Sequence, residues 1–395
     1  MVDQSELHTE WSLVADDRGL ERAAEELASG TGPLGVDAER ASGFRYGSDA
    51  YLVQVSRRGA RPLLFDPTGI GDFAPLAQAI GNDEWILHAA SQDIPCLTEL
   101  GLRPARLFDT ELGARLLGYE RVGLGALVER LLGIHLEKAH SAADWSQRPL
   151  PDAWLEYAAL DVALLPDLRD AVLADLERQG KLEYALQEFE AVRTRPEKPR
   201  AAEPWRKLSG GHVLRTPRAL AIARELWLAR DALARERDVA PGRLIPDSSI
   251  VAAAAANPRS AGELARLQSF KGRASRSELE RWWAAVLAGK TSDELPGPRT
   301  RDPESIPHHR GWAQRHPEAA ARLAAARAGV VAEAERLRIP VENLLTPDHL
   351  RAVAWRPPQP PTPEAIARRL TELGAREWQV GLTAPIISAA FVDLG

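Results

Sequence analysis

Five residues in three separate segments of this 395-residue chain carry groups suited to chemistry on a phosphate ester. Asp37 and Glu39 end one apolar run, and Asp93 follows another. Tyr157 and Asp161 lie four positions apart in a later stretch. Carboxylate oxygens are the ligands that Mg²⁺ and Mn²⁺ prefer, and a pair of such ions can drive phosphodiester hydrolysis. Four carboxylates and one phenol are therefore the set that a two-metal nuclease needs.

Asp37 and Glu39 are separated by a single residue. In a strand, side chains at positions i and i+2 lie on the same face, so both carboxylates would project together from the strand end. Two like charges at this spacing repel unless a cation neutralises them. Taken alone, such a pair is more often a solvated strand end, so the other segments must decide.

Tyr157 and Asp161 are spaced to lie on one helix face, one turn apart. The alternative is a tyrosine packed in the core beside an exposed aspartate. Asp93 falls near the N-terminus of a predicted helix, where the alternative is a helix-capping role. His88, at the end of the preceding strand, is a possible ligand or base, although a lone histidine there is more often structural.

The first 190 residues alternate predicted strands and helices, which indicates a mixed α/β domain with an early antiparallel section. Residues 51–55 and 62–65 flank a short polar turn and predict a hairpin. Residues 152–192 are predicted to be helical, in two pieces. The predicted strands cover residues 11–14, 34–36, 51–55, 62–65 and 85–87. The predicted helices before residue 152 cover residues 19–28, 72–80, 94–100, 110–117 and 124–132.

Charge and proline content divide the chain. Residues 1–200 carry 21 Lys and Arg against 34 Asp and Glu, whereas residues 201–395 carry 29 against 22, within a net charge of −6. An acidic half repels phosphate unless divalent cations neutralise it, and a basic half can recruit it. Polar, proline-rich stretches at residues 194–204 and 291–307 predict linkers.

The second half is predicted to be nearly all helical and to contain a duplication. Residues 241–247 recur in altered form as residues 340–348, and each copy follows a helix rich in Ala and Arg, at residues 220–237 and 318–338. Two copies favour a pair of small helical domains over a solenoid. Chance similarity in an Ala- and Arg-rich sequence is the alternative.

The remaining composition argues against several classes of protein. Cys96 is the single cysteine, so no intrachain disulfide can form, and a reducing compartment, the cytoplasm, is expected. No apolar run is long enough to predict a membrane span. The acidic N-terminus lacks the apolar region of a signal peptide.

Together, the three acidic segments resemble the DEDD superfamily of 3′–5′ exonucleases, and the pair Tyr157-x-x-x-Asp161 resembles its tyrosine branch. Longer segments are similar to the ribonuclease D family in particular. These segments are residues 88–93, 108–110, 138–150 and 157–162. The resemblance covers about residues 10–190 of the chain.

The helical half resembles modules of the same family. Residues 217–287 are similar to the HRDC domain, and residues 308–393, above all 377–383, are similar to a second, more divergent HRDC-like domain. The resemblance implies a ribonuclease H-like, mixed-sheet exonuclease domain followed by two all-α HRDC-like domains. The implied boundaries are an exonuclease domain at 1–194, a linker at 195–211, an HRDC domain at 212–291, a linker at 292–307 and an HRDC-like domain at 308–395.

The resemblance also implies an activity, that of a 3′–5′ exoribonuclease releasing 5′-nucleoside monophosphates. The implied cofactors are two divalent cations, Mg²⁺ or Mn²⁺, held by Asp37, Glu39, Asp93 and Asp161. Asp37 is the expected bridging ligand, and Glu39 is expected to contact the attacking water or the terminal 3′-hydroxyl. Tyr157 is expected to orient that water, because a phenol with a pKa of about 10 is a poor base at neutral pH.

The implied partner is RNA, such as tRNA precursors or other structured RNA, with no membrane and no obligate protein partner. Two alternatives stay open. One is a DNA exonuclease of the same superfamily, because no residue visibly reads the 2′-hydroxyl. The other is a catalytically silent RNA-binding or scaffold protein.

Eight residues are candidates for substrate contacts, and their alternative is an ordinary structural or solvated side chain. They are His88, Lys138, Arg148, Arg215, Arg218, Lys271, Arg273 and Arg276. Arg40 departs from the family pattern, in which an aromatic residue commonly follows the glutamate. This difference leaves the carboxylates intact and affects only how the terminal nucleotide would stack beside the site.

Overall fold

The structure is a computed structural model that describes residues 2–3, 10–137, 143–196, 199, 201–297 and 305–394. Within these ranges, strands occur only in the first part of the chain, and the part after residue 200 is helical. The fold is therefore a mixed α/β domain followed by helical domains, as the sequence predicted.

A mixed six-stranded sheet forms the centre of the first domain. The described strands are β1 Val2–Asp3, β2 Ser12–Val14, β3 Leu34–Arg40, β4 Ala50–Arg57, β5 Leu63–Phe65, β6 Glu84–Leu87, β7 Arg106–Asp109 and β8 Ile134–His135. The sheet order is β2-β5-β4-β3-β6-β7, and β1 pairs separately with β8. β4 is antiparallel to both β3 and β5, whereas β3–β6, β6–β7 and β2–β5 are parallel. The strand β3 thus lies inside the sheet, between an antiparallel and a parallel neighbour.

Eight helices complete the described part of this domain. They are α1 Asp17–Ser29, α2 Ala74–Ile80, α3 Ile94–Glu99, α4 Thr110–Leu116, α5 Leu124–Leu132, α6 Asp152–Ala163, α7 Leu165–Arg178 and α8 Leu182–Arg193. Local sequence explains several of the helix ends. The Asp16 carboxylate caps α1 by accepting a hydrogen bond from the Gly19 amide at 2.7 Å. Pro166 lies in the first turn of α7, where a proline is tolerated.

Alternate residues of β3 face opposite sides of the sheet. Leu34, Val36 and Ala38 belong to one buried apolar cluster. Asp37 and Glu39 point to the other side, because residues directly opposite each other in antiparallel strands share a face and Glu39 lies opposite Leu52. Leu52 packs in a second cluster that contains residues of α6. The acidic face of β3 is therefore the face that α6 covers.

Gly35 lets β3 approach the junction of α6 and α7 closely. A Cβ atom at this position would lie 2.6 Å from the carbonyl oxygen of Val162 and 3.1 Å from the Cβ of Leu165. Both distances are too short for ordinary van der Waals contact, and the carbonyl belongs to the backbone. The missing side chain at Gly35 is thus what allows α6 to lie against the acidic strand.

The helical half contains two domains that repeat one pattern. The first helical domain consists of α9 Pro217–Glu236, α10 Pro241–Leu244, α11 Asp247–Ala256, α12 Ala261–Arg266, α13 Arg273–Ser277 and α14 Leu279–Thr291. The second consists of α15 Trp312–Arg315, α16 Pro317–Leu337, α17 Val341–Leu344, α18 Pro347–Trp355, α19 Pro363–Glu372 and α20 Glu377–Val392. The order long helix, four-residue helix, longer helix recurs as α9–α11 and α16–α18. This shared order of helices is consistent with the duplication, which stays a prediction.

The two helical domains join the first domain in different ways. The second shares one continuous apolar core with the α/β domain, whereas the first has a core of its own. Trp378 of α20 stacks on Tyr184 of α8, with ring centroids 4.6 Å apart. Glu188 of α8 accepts hydrogen bonds from the Trp378 indole at 3.0 Å and from Arg376 Nε at 2.6 Å. The family-like segment 377–383 thus forms part of a domain interface.

The first helical domain contacts the loop of residues 41–49, which follows β3. Arg243 donates a hydrogen bond from Nε to the carbonyl oxygen of Gly43 at 2.6 Å, and its guanidinium lies 4.1 Å from the centre of the Phe44 ring. The amide of Ala240 donates to the Phe44 carbonyl at 3.0 Å. This loop, called the docking loop below, therefore links the acidic strand to the first helical domain.

Several predicted elements differ from the observed ones. The β4–β5 hairpin is confirmed, but β3 extends to Arg40 rather than ending at Val36. The region predicted as two helices contains three, because Pro166 lies in the first turn of α7 and Gly180, with a φ of 65°, follows its end. The strands β1, β7 and β8 were not predicted, since each is only two to four residues long.

Among the described residues, every helix is too short or too polar to cross a bilayer.

Candidate active site

Strand β3 and helix α6 bring three carboxylates together. Asp37, Glu39 and Asp161 each offer a ligand oxygen, and these oxygens all lie within 4.8 Å of one another. One Asp37 oxygen also accepts a hydrogen bond from the Ala38 amide at 2.9 Å. Asp161 is 9% exposed, so the group lies largely shielded from solvent between strand and helix. The sequence predicted this meeting of residues 124 positions apart, although only the fold creates it.

Asp93 approaches the same group from a third element. It lies at the N-terminal end of α3, but its side chain makes no capping hydrogen bond to that helix. One carboxylate oxygen of Asp93 instead lies 3.5 Å from Nη2 of Arg40. The register between β3 and β4 shifts between Glu39 and Arg40, and bulges of this kind redirect side chains beside functional sites. The side chain of Asp93 therefore does not cap α3, which was the alternative role for this residue.

Asp109 holds the turn that carries Asp93. Its carboxylate accepts hydrogen bonds from the amides of Ala89 at 3.1 Å and Ala90 at 2.9 Å. It also caps α4 by accepting from the amides of Glu111 and Leu112, both at 3.0 Å. These bonds stabilise a turn in which Ala89 has a φ of 64°, a conformation that few residues other than glycine adopt.

Tyr157 lies one helical turn before Asp161 on α6. Its hydroxyl is hydrogen-bonded to the Asp161 carboxylate. Burial, together with the charge of Asp161, raises the pKa of the Tyr157 phenol above its ordinary value. The phenol therefore keeps its proton, and its oxygen can still accept a hydrogen bond from a water molecule.

Burial and mutual repulsion raise the pKa of the acidic side chains. Burial and the neighbouring carboxylates, Asp37 first, raise the pKa of Glu39 to about 9. Burial and Asp37 likewise raise the pKa of Asp161 to about 8 and that of Asp93 to about 8. Burial also raises the pKa of Asp37. Raised carboxyl pKa values are the expected result when carboxylates cluster with too little positive charge nearby.

This donor set fits a divalent cation. Hard carboxylate oxygens from β3 and α6 converge within bonding reach of one point, and Mg²⁺ and Mn²⁺ favour such ligands. The raised pKa values of Glu39 and Asp161 show that the carboxylates repel one another, and a bound cation would relieve this repulsion. Asp93 lies outside this group of three, and one of its two carboxylate oxygens faces Arg40.

Three of the candidate substrate contacts have structural partners. His88 is hydrogen-bonded to the Thr110 hydroxyl at 2.9 Å, and burial lowers its pKa to about 4, so it is neutral. Arg148 binds Asp66 through two bonds of 2.6 Å. Arg218 donates to two carbonyl oxygens at the end of α14. These partners support the structural alternative for all three side chains.

The other candidates lie on the surface or outside the described residues. Lys138 belongs to the second group, as do residues 139–142 of the family-like segment. The exposed candidates are Arg215, Lys271, Arg273 and Arg276. Within the described part of the chain, no hydrogen bond or ion pair involves the side chains of these four, so they keep the capacity to bind phosphate.

Two residues to which the sequence analysis assigned no role position the site. Gly35 permits the close approach of α6, and Asp109 supports the turn before Asp93. A glycine inside an apolar strand is a recognised sign of close backbone approach. That sign was available for Gly35. The role of Asp109 depends on amides from two separate segments, and no local pattern predicts it.

The α/β fold and its acidic cluster define a domain of the 3′–5′ exonuclease class, joined to an HRDC module. Residues 12–177 match the family described as 3′-5′ exonuclease, and residues 219–286 match the HRDC domain. Residues 305–391 match the family described as 3′ to 5′ exonuclease C-terminal domain. The chain belongs to the ribonuclease D family. Ribonuclease D of Escherichia coli K12 is 35% identical over 273 residues, which cover 67% of this chain and 72% of that protein.

Other relatives and solved structures agree with this placement. Ribonuclease D of Gluconacetobacter diazotrophicus is 33% identical over 242 residues. The match covers 60% of this chain and 61% of that protein's length. The crystal structure of a protein from Bifidobacterium adolescentis is similar to this chain, with a TM-score of 0.86 and 39% sequence identity. The match covers 97% of this chain and 100% of that protein's chain. Escherichia coli RNase D is similar at a TM-score of 0.71 and 26% identity, with 98% and 99% coverage.

Proposed function

We propose that this protein is a divalent-metal-dependent 3′–5′ exoribonuclease that releases 5′-nucleoside monophosphates from the 3′ ends of structured RNA. The observation that carries the proposal is the convergence of Asp37, Glu39 and Asp161 within 4.8 Å. The match of residues 12–177 to 3′-5′ exonucleases supports the direction of cleavage. The Escherichia coli structure is described as that of an exoribonuclease involved in structured RNA processing, which supports RNA as the substrate.

The proposed cofactors are two Mg²⁺ or Mn²⁺ ions held by Asp37, Glu39, Asp93 and Asp161. The chemistry that divalent ions supply at such a site is activation of water and relief of negative charge on the leaving 3′-oxygen. Asp37 is the proposed bridging ligand. The charge of Asp37 raises the pKa of each of the other three carboxyl groups, which supports a central place for Asp37 in the cluster.

Tyr157 is proposed to orient the attacking water. The hydroxyl proton of Tyr157 is directed to Asp161, so the phenolic oxygen is available as an acceptor towards water. Its raised pKa argues against proton abstraction by the phenolate. Glu39 lies on the same face of β3 as Asp37. It is proposed to contact the attacking water or the terminal 3′-hydroxyl.

Substrate binding is proposed to use the basic second half of the chain. Residues 201–395 carry a net positive charge, and Arg215, Lys271, Arg273 and Arg276 expose cationic groups there. Such groups bind phosphates without reading sequence. Precursors of tRNA are the proposed natural substrates. The single cysteine, Cys96, which is buried and free, is consistent with a cytoplasmic site of action.

The proposal is tested with a 5′-labelled RNA, its DNA counterpart and a circular form of the RNA, each with Mg²⁺ or Mn²⁺. The linear RNA is expected to shorten from the 3′ end with release of mononucleotides, and the circle to stay intact. Asp37→Asn and Asp161→Asn are each expected to lower kcat at least about a thousandfold, because several kcal/mol of charge stabilisation is lost.

Asp167→Asn is the matched control, since Asp167 is exposed and pairs with Arg58. It should cleave at the wild-type rate. RNA that stays intact with both metals would refute the proposal and favour a silent RNA-binding protein. Faster cleavage of the DNA would instead support a DNA exonuclease.

A further inference from the structure

Arg40 lies directly after the two carboxylates of β3 and faces a third. Its Nη2 atom is 3.5 Å from an oxygen of Asp93, whose side chain is 8% exposed, while the Arg40 side chain is 28% exposed. The register shift between Glu39 and Arg40 sets this direction. The guanidinium is therefore a positive charge placed at the edge of the acidic cluster.

The side chain of Asp93 faces Arg40 and lies outside the group of three carboxylates. Its carboxylate makes no capping bond to α3, and among the described residues its side chain pairs with Arg40. The three carboxylates Asp37, Glu39 and Asp161 already lie within 4.8 Å of one another, and Asp93 is outside that group. Arg40 and a cation bound to the cluster would thus compete for the same carboxylate.

We propose that Arg40 is the internal counter-cation of the acidic site: it holds Asp93 until a divalent ion binds, and the ion then displaces it from that carboxylate. This inference rests on the metal-binding role proposed above for the four carboxylates. Its physical basis is that a partly buried carboxylate is stabilised by one close cation, and a second cation must replace the first. Arg40 therefore sets the affinity of the site for metal.

The test measures the binding of Mn²⁺ alone to the full-length, chelator-treated protein by titration calorimetry, without RNA. Arg40→Met removes the charge and keeps most of the side-chain length. It is expected to bind Mn²⁺ about three- to tenfold more tightly, because the metal no longer displaces an ion pair. Arg40→Lys keeps the charge and is expected to stay within about twofold of wild type.

A double substitution separates competition at Asp93 from the general field of a positive charge. In an Asp93→Asn background, Arg40→Met is expected to change the Mn²⁺ affinity less than about twofold, since the contested carboxylate is gone. Arg58→Met is the matched control. Arg58 pairs with Asp167 and Asp170 and follows the end of β4 that is remote from Arg40. It should leave Mn²⁺ affinity unchanged.

A second measurement follows thermal unfolding of the same proteins in chelator. Arg40→Met is expected to unfold at a lower temperature than wild type, and saturating Mn²⁺ is expected to narrow the difference. The inference would be overturned if Arg40→Met left the Mn²⁺ affinity unchanged. It would also be overturned if Arg40→Met raised that affinity as much in the Asp93→Asn background as in the wild type. The proposed nuclease function would stand in both cases. Absence of Mn²⁺ binding in the wild type would overturn both.

Discussion

Asp37, Glu39 and Asp161 place three carboxylates within 4.8 Å of one another, and Asp93 adds a fourth charge nearby. Such a cluster lowers stability unless cations or protons neutralise it. The pKa values of about 9 for Glu39 and about 8 for Asp161 reflect this cost. At the residue scale, the chain gives up stability at the same atoms that its proposed activity requires.

The raised pKa values predict how stability depends on pH. The folded protein holds protons that the unfolded chain releases, because the carboxyl pKa values rise on folding. The contribution of these groups is complete below an unfolded pKa of about 4 and is lost as the pH rises through about 8 to 9. In chelator, the unfolding midpoint is therefore expected to fall between pH 6 and pH 9, measured by thermal unfolding.

Two comparisons assign that pH dependence to the site. Asp161→Asn removes one of the titrating groups and should make the decline shallower. Excess Mn²⁺ should do the same, because bound metal replaces the protons. A midpoint that rises between pH 6 and pH 9 in chelator would contradict the assignment.

At the scale of elements, the site depends on how closely α6 lies against β3. The strand places Asp37 and Glu39 on the covered face, and the helix places Tyr157 and Asp161 one turn apart. Neither element holds a complete ligand set. Gly35 keeps the two elements within reach, since a Cβ atom there would lie 2.6 Å from a backbone oxygen of α6.

Gly35→Ala is therefore expected to push α6 away from β3 and to lower both stability and activity. The expected loss is about 1–3 kcal/mol in the free energy of unfolding, as for overpacking in other cores, and about tenfold or more in kcat. Chemical denaturation and the RNA cleavage assay measure these effects.

Gly125→Ala is the matched control, because a Cβ atom there would make ordinary contacts at 3.7 Å. It lies in α5 and should not destabilise the protein, since alanine favours a helix over glycine. Equal behaviour of the two variants would show that Gly35 is not needed for the approach of α6.

At the scale of the whole molecule, the first helical domain is attached next to the site. Tyr46 of the docking loop is bonded through its hydroxyl to Asp231 at 3.0 Å. Arg45 binds Asp238 at 3.3 Å and Ser146 at 2.7 Å. These contacts join the end of β3, the segment before α6 and the first helical domain, so the domain can stabilise the site as well as contact RNA.

Arg243→Ala is expected to loosen the docking loop, because it removes the bond to Gly43 and the contact with Phe44. Hydrogen exchange of the amides of residues 41–47 should become faster. The value of kcat should fall about two- to fivefold, even on a short RNA that cannot reach the helical domains, since small displacements near a site are costly.

Arg266→Ala, at the end of α12, removes a surface arginine of the same domain and serves as the control. It should leave both exchange and kcat unchanged. If Arg243→Ala affects only long RNA, the first helical domain acts through substrate binding alone.

The residue types and short spacings of the site were readable in the sequence. Asp37 and Glu39 on one strand face, and Tyr157 and Asp161 on one helix face, follow from the periods of strand and helix. The helical duplication followed from similar segments after similar helices. These features are local, because each depends on residues within a few positions of one another or on a repeated pattern.

Only the tertiary structure decided how these pieces combine. The sequence did not predict that Arg40 pairs with Asp93, that Asp109 supports the turn before it, or that the second helical domain shares a core with the α/β domain. It also did not separate the structural Arg148 and Arg218 from the exposed Arg273. Partners and burial arise between residues distant in the chain. Local sequence periodicity does not predict these partners, because only the packing of distant segments determines which charged side chains meet.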